Sequence, residues 1–281
     1  MKRPARPSPP PHGQHFLTDR RAIERIVSAI DPRPGDRILE IGPGGGALTE
    51  PLAARADALV AVEIDPRHVE ALRARFAGLP HVTIIHADIL DVLNEGLGTL
   101  AAEFGRLTPG VKVAGNLPYA IGTTIVRRLL NEGGLISDAI CMLQRETAQR
   151  LLASPGSRDY GYLSVLLQLR ARATGLFDLP PGAFRPPPRV HSRVIRIDFT
   201  EPPGAPCPED LPALERVLSA AFGGRRKTLA NALSALATRD EVAAACAAAG
   251  IPLTERAERV EPARLLALAR ALAPHMGPSA S

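Results

Sequence analysis

Cysteine is scarce in this 281-residue chain, and its three copies, Cys141, Cys207 and Cys246, stand far apart with no C-x-x-C spacing. That excludes a disulfide framework and a cysteine-based zinc or redox site, and no other motif suggests a metal, so a reduced, cytoplasmic setting is expected. Long apolar runs are missing too. No uncharged stretch approaches the roughly 20 residues that span a bilayer, and no apolar segment follows the basic, proline-rich start "MKRPARPSPPPHG", so neither membrane insertion nor secretion is expected. No repeat recurs at a solenoid period. Lysine is nearly absent: only Lys2, Lys112 and Lys227 among 34 basic residues, which leaves 31 arginines and a net charge of +5. The planar, multi-donor arginine fork suits phosphate, which makes a nucleic-acid partner plausible. A GC-rich genome that writes basic positions as arginine explains the same bias, and charge alone does not choose between them.

What is present suits a packed α/β protein. A 45% hydrophobic chain of this length accommodates one large domain and a smaller one. Prolines at 4, 7, 9, 10 and 11 preclude a helix at the start, so residues 1–12 are read as a flexible basic arm. Thr18 or Asp19 then caps a helix whose apolar stripe is Ile23, Ile26, Val27 and Ile30. Short apolar runs alternate with helical segments: "RILEIG" near 37–42, "ALVAVEI" near 58–64, "VTIIHA" near 82–87, "VKVAGN" near 111–116 and "DAICMLQ" near 138–144. This pattern predicts βαβ units, a parallel sheet and helices on both faces, a Rossmann-like fold. "ATGLFDL" and "RVIRIDF" read as two further strands able to pair at a sheet edge. Five prolines in "TEPPGAPCPEDLP" mark a linker at 200–212, which bounds a first domain at 13–199 and an all-helical second domain at 213–276.

Four predicted strands end in residues that bind nucleosides. "LEIGPGGGALT" places Gly42, Gly44 and Ala47 in a G-x-G-x-x-A turn, where glycine lets backbone approach a ligand. Glu63 follows Gly42 by 21 positions, a spacing that suits a carboxylate accepting from ribose hydroxyls; both NAD and S-adenosylmethionine carry such a ribose. Asp88 is placed either to accept from an adenine amine or to cap the helix beginning "ILDVL". Asn116 ends the fourth strand and opens N-L-P-Y. Methyl transfer to an amine is an in-line displacement in which the attacking nitrogen gains positive charge, so acceptors around that nitrogen favour it. The Asn116 side-chain oxygen is one acceptor. The Leu117 carbonyl, in a residue pushed towards extended backbone by Pro118, is a second. Tyr119 supplies a ring on which an unstacked base can lie. A buried tyrosine in an ordinary strand-to-helix turn is the plain alternative.

N-L-P-Y is similar to the N-P-P-Y and D-P-P-Y signatures of S-adenosylmethionine-dependent enzymes that methylate exocyclic amines. More narrowly, "GQHFL", "EIGPGGGALT", "VEID", "GNLPY", "LQRETAQRL", "FRPPPRVHSRVIRI" and "AFGGRRKTLANAL" run in order along nearly the whole chain. Together they resemble the bacterial small-subunit ribosomal RNA adenine dimethyltransferases, the KsgA family. The resemblance implies a class I methyltransferase sheet with a small helical C-terminal domain, S-adenosyl-L-methionine as cofactor, and dimethylation of the N6 amines of two adjacent adenosines in the 3′-terminal hairpin of small-subunit rRNA. The expected setting is a pre-30S particle, with a monomeric enzyme. The family's cofactor contacts fall on His15, Leu17, Gly42, Glu63, Asp88 and Asn116, with Gly44 in the same turn. His15 departs from the pattern, which has asparagine there. Arg185, Arg189 and Arg193 (with Arg196 beside them), and then Arg225, Arg226 and Lys227, are the expected phosphate contacts. Three rivals stand beside this reading: the macrolide-resistance enzymes that methylate large-subunit rRNA, an assembly or binding factor of the same fold, and an NAD dehydrogenase, for which no hydride-transfer constellation is present.

Overall fold

A computed structural model of the chain describes residues 15–104, 109–200, 206–224 and 227–277. The expected arm at 1–12, residues 201–205 of the expected linker, and Arg225 and Arg226 lie outside the described residues. Two compact units emerge: one runs to Ala148 and resumes at Gly175–Ile197, and the other comprises Gln149–Thr174 and Asp198 onward.

In the first unit, β2 (Arg37–Ile41), β3 (Ala58–Glu63), β4 (Val82–His86), β5 (Val111–Asn116) and β6 (Ile136–Gln144) form a parallel array in the order β4-β3-β2-β5-β6. β9 (Ser192–Asp198) and then β7 (Arg172–Leu179) continue the sheet beyond β6. The near-continuous burial of β2, β3 and β5 is that of strands covered on both faces, which is why their sequences are apolar runs rather than alternations. The chain leaves β2 towards β3 and β4 on one side and later towards β5 and β6 on the other. This makes the carboxyl edge between β2 and β5 the switch point at which open α/β sheets bind ligands. Register fixes what meets there: Ile41 lies beside Val62 and Gly115, Glu63 beside His86, and Asn116 beside Met142.

Helix α1 (Arg20–Ile30) forms where its caps allow. The Asp19 carboxylate accepts from Ala22 N at 2.9 Å, and the helix ends at Asp31 in the left-handed region, a conformation that aspartate tolerates. Ala22, Ile26, Val27 and Ile30 are its buried stripe, so Ile23 of the expected stripe only packs at the edge of the core. A two-stranded antiparallel ribbon, β1 (Phe16–Leu17) with β8 (Phe184–Arg185), pairs Phe16 with Arg185 and Leu17 with Phe184. It fastens the segment before α1 to the arginine-bearing loop.

The second unit differs from the expected division at 199. Helix α7 (Tyr162–Arg170) groups with α8 (Leu211–Phe222), α9 (Leu229–Ala232), α10 (Arg239–Ala248) and α11 (Pro262–Leu272), although it precedes the expected linker. Its buried side chains, Val165, Leu166, Leu167 and Leu169, require apolar neighbours, and α8 and α11 supply them. The Tyr160 hydroxyl donates to Val260 O and Gly156 N to Glu258 O, which ties residues 149–174 to this unit. Apolar periodicity identifies α7 as a helix but does not tell which layer it joins. Among the described residues, no helix is long and apolar enough to cross a membrane.

One glycine governs the approach of β5 to β2. A Cβ at Gly115 would stand 2.8 Å from Ile41 O and 3.1 Å from Leu117 Cδ2. Alanine in place of glycine gains roughly 0.4–1 kcal/mol through the unfolded chain, whereas overpacking against backbone costs about 1–3 kcal/mol, so the clash wins. Gly115→Ala is expected to lower the thermal midpoint by several degrees in a melting experiment; an unchanged or higher midpoint would show that the strands separate freely here.

Candidate active site

The turn after β2 is held by an acid from β3. Gly44 N donates to Glu63 Oε2 at 2.9 Å, while Ile64 N and Asp65 N donate to Oε1, each at 2.9 Å. Three backbone donors set this buried carboxylate in one rotamer, and a carboxylate's roughly four lone-pair positions leave it able to accept from a ligand. Gly44 is required twice over. Its φ is +53°, and a Cβ there would lie 2.9 Å from the Phe16 ring. Asp65, next along, caps α3 (Pro66–Phe76) and pairs with Arg67, which holds the Asp65 carboxyl far below the usual carboxylate range.

Asp88 fulfils the capping role weighed for it: Oδ1 accepts from Leu90 N at 2.8 Å at the start of α4 (Ile89–Glu95). It also faces the cavity, so the cap and a ligand contact are compatible through its two oxygens.

Asn116 is fixed by its donor end. Nδ2 lies 2.8 Å from His15 O, an oxygen that only accepts, so the NH2 faces β1 and Oδ1 is the end left for the cavity. Leu117 N donates to Met142 O at 3.1 Å and Ile121 N to Pro118 O at 3.1 Å, which anchors the turn to β6 before α5 (Gly122–Leu129) begins. The Tyr119 hydroxyl is 2.6 Å from Ser192 Oγ. Burial raises the Tyr119 phenol above its ordinary value and the Ser192 contact acts against that rise, so the phenol is neutral at physiological pH.

His15, in the place of the family's asparagine, turns its side chain to the rim. Nδ1 lies 2.7 Å from Pro186 O and therefore donates to it, and the imidazole stands 5.6 Å from the Tyr119 ring, tilted by 34°. The cavity bounded by these elements is about 470 Å³, within the range of small-molecule sites, and is lined by His15–Thr18, the glycine turn, Glu63, Asp88 and residues 116–121. Two acids, a glycine cradle that a Cβ would fill and an amide acceptor fit a nucleoside bearing a cationic sulfonium. Each expected cofactor residue described in the structure (His15, Leu17, Gly42, Gly44, Glu63, Asp88 and Asn116) lines this one cavity, as do Leu117, Pro118 and Tyr119.

The arginines divide. Arg185 on β8 and Arg189 are exposed, and Lys227 is exposed in the other unit. Arg193 is instead engaged by Asp178 through Nε at 2.5 Å and Nη2 at 3.0 Å, which lowers the Asp178 carboxyl below its usual value. Arg196 is likewise engaged, by Ala29 O and by Asp138 at 3.6 Å, although its side chain stays partly exposed. β9 lies between β6 and β7, so its arginines, although on opposite faces of the strand, each meet acceptors on neighbouring elements, whereas Arg189 in the proline-rich loop is exposed.

The model of the family described as ribosomal RNA adenine dimethylase matches residues 10–273. The chain belongs to that family. A protein of Xanthomonas campestris named ribosomal RNA small subunit methyltransferase A is 42% identical over 259 residues, covering 92% of this chain and 93% of its own. One of the same name from Geobacter sulfurreducens is 49% identical over 223 residues, or 79% and 78% of the two chains. Among solved structures, the 23S rRNA methyltransferase ErmE shares 28% identity and a TM-score of 0.64 over 92% of this chain and 99% of its own. A Plasmodium falciparum dimethyladenosine transferase, at 21% identity, has the same fold with a TM-score of 0.70 over 90% and 96%. The fold is that of S-adenosylmethionine-dependent methyltransferases, and S-adenosyl-L-methionine is the cofactor.

Sequence reasoning passed over Glu40. It lies in the middle of the apolar run "RILEIG", and that misplaced charge was the available signal. The side chain is 2% exposed and lines the cavity, yet Glu40 Oε2 has no hydrogen-bond partner. Burial pushes the carboxyl up to about 7; the Thr49 hydroxyl moderates the rise and the Glu63 charge adds to it. A folded-state value above the unfolded one means stability that is complete below about pH 4.5 and lost as pH rises through about 7. Glu40→Gln removes that loss. In melting curves of cofactor-free protein, the variant's advantage should grow between pH 5 and pH 8 by an amount on the order of 2 kcal/mol. A constant offset across that range would contradict the assignment.

Proposed function

We propose that this chain methylates the N6 amines of two adjacent adenosines in the 3′-terminal hairpin of small-subunit rRNA, acting as a monomer on a pre-30S particle in the cytoplasm. The observation that carries the reading is the Asn116 amide, whose oxygen is left facing a nucleoside-sized cavity because its nitrogen is bonded to His15 O.

S-adenosylmethionine, when bound, supplies an electrophilic methyl group on a sulfonium. Glu63 receives the ribose hydroxyls and Asp88 the adenine amine, while the Gly44 turn admits the backbone to close range. Asn116 Oδ1 and the Leu117 carbonyl accept from the target N6 amine, orienting its nitrogen towards the methyl and favouring the positive charge that develops there. Tyr119 carries the extruded base on one face of its ring. A neutral amide needs only one N–H to hold the amine. After the first transfer the cationic nitrogen loses one proton to solvent and keeps one N–H, so the same contact serves the second transfer. The exposed Arg185 and Arg189 meet RNA phosphates beside the mouth of the site, and Arg225, Arg226 and Lys227 provide a second backbone contact. Arg193 contributes through Asp178, by stiffening the strand behind the loop.

The small subunit is favoured over the large one by the relatives named for it, at 42% and 49% identity against 28% for ErmE. Transfer of labelled methyl groups should occur on undermodified small subunits and not on large ones. Asn116→Ala should reduce it on the order of 100-fold, with cofactor binding retained in weakened form; equal incorporation by both proteins would remove the role given to the amide. Binding of the same RNA should weaken linearly in log–log plots against salt. Arg185→Ala and Arg189→Ala should each reduce that slope by about 0.7–0.9, and slopes identical to wild type would take these arginines off the phosphate.

A further inference from the structure

Tyr119 is held at both ends. Its backbone lies in the turn anchored by Leu117 N to Met142 O, and its hydroxyl meets Ser192 Oγ at 2.6 Å. Ser192 is wholly buried and is the first residue of β9. The carbonyl of the preceding His191 accepts from Arg145 N at 2.9 Å, so the serine is placed by sheet backbone and is not free to follow the ring. It does not line the cofactor cavity, which Tyr119 does. A ring fixed only at Cα retains rotation about two side-chain torsions: a bond at the hydroxyl stops the swing about the first, and, because a phenol's O–H and acceptor lone pair lie in the ring plane, a fixed partner there favours one ring plane about the second.

We propose that Ser192 is a positioning residue for methyl transfer: its hydroxyl sets the plane of the Tyr119 ring, and thereby the plane in which the target base is presented to the methyl donor. This rests on the reading of Tyr119 as the base platform. The bond also joins the two parts of the site, because Ser192 closes the loop that carries Arg189 while Tyr119 stands in the turn that follows β5. The same loop also reaches the ring's neighbourhood through Pro186 O, which accepts from His15, whose imidazole stands 5.6 Å from the ring. A hydroxyl present only to satisfy a buried partner has no reason to affect the orientation of a base.

The test is single-turnover methylation of undermodified small subunits, with cofactor and subunit affinities measured separately. Ser192→Ala is expected to slow transfer about tenfold while both affinities stay within about twofold of wild type, since small errors of placement act on the chemical step. Tyr119→Phe, which cuts the bond from the other end and keeps the ring, should show the same loss. The double variant should be no slower than either single one, because the two groups act through a single bond. Ser192→Thr, which keeps the hydroxyl, should restore most of the rate. Should Ser192→Ala fail to fold, Tyr119→Phe and Ser192→Thr still decide the matter. Full rate in Tyr119→Phe, or losses that multiply in the double variant, would overturn the proposal. Tyr119→Ala separates the two levels of the reading: a full rate there would remove the platform and the Ser192 role together, whereas a severe loss there beside an unimpaired Tyr119→Phe would remove only Ser192.

Discussion

Asn116 Nδ2 donates to the carbonyl of His15, and much of the site depends on that bond. An asparagine at a strand end offers a donor and an acceptor with nearly equal shape, and only a fixed partner decides which one meets the ligand. Here the partner is backbone from the short strand β1, which is itself paired with β8. The ribbon therefore does more than cover one side of the cavity. It orients the amide and brings the proline-rich loop beside Tyr119. Loss of this ribbon would leave the four strand ends in place and the acceptor undefined.

The two buried glutamates show how one environment gives opposite outcomes. Glu63 is satisfied by three backbone donors at the lip of the sheet. Glu40, two positions before the glycine turn, has an oxygen with no partner and a proton affinity raised by burial. Both line the same cavity, so the fold tolerates one uncompensated polar group where it would ordinarily select against it. The placement suits a pocket that receives a charged, strongly hydrogen-bonding ligand.

The fold was legible because parallel strands buried on both faces leave a strong trace: short apolar runs spaced by amphipathic helices. Gly42, Glu63, Asp88 and Asn116 were legible because each closes such a run, and a single sheet edge collects whatever follows its strands. Asp88 read as both a cap and a ligand contact, and its two oxygens allow both. Charge runs were less informative. Arg189, Arg193 and Arg196 look alike in sequence, yet Asp178 and Asp138 engage the latter two, and those acids lie on other strands, whose position beside β9 no charge pattern in the sequence reveals.

By itself the sequence determined the order of the elements, the residues at the strand ends, and the chemistry those residue types support, since these follow from local periodicity and spacing. Tertiary structure alone decided which end of the Asn116 amide faces the cavity, that α7 belongs with the C-terminal helices, and that Ser192 holds the Tyr119 ring. The physical reason is the same in each case. Such facts rest on contacts between residues far apart in the chain, 101 positions for Asn116 and His15 and 73 for Tyr119 and Ser192, and no local pattern encodes a partner at that distance.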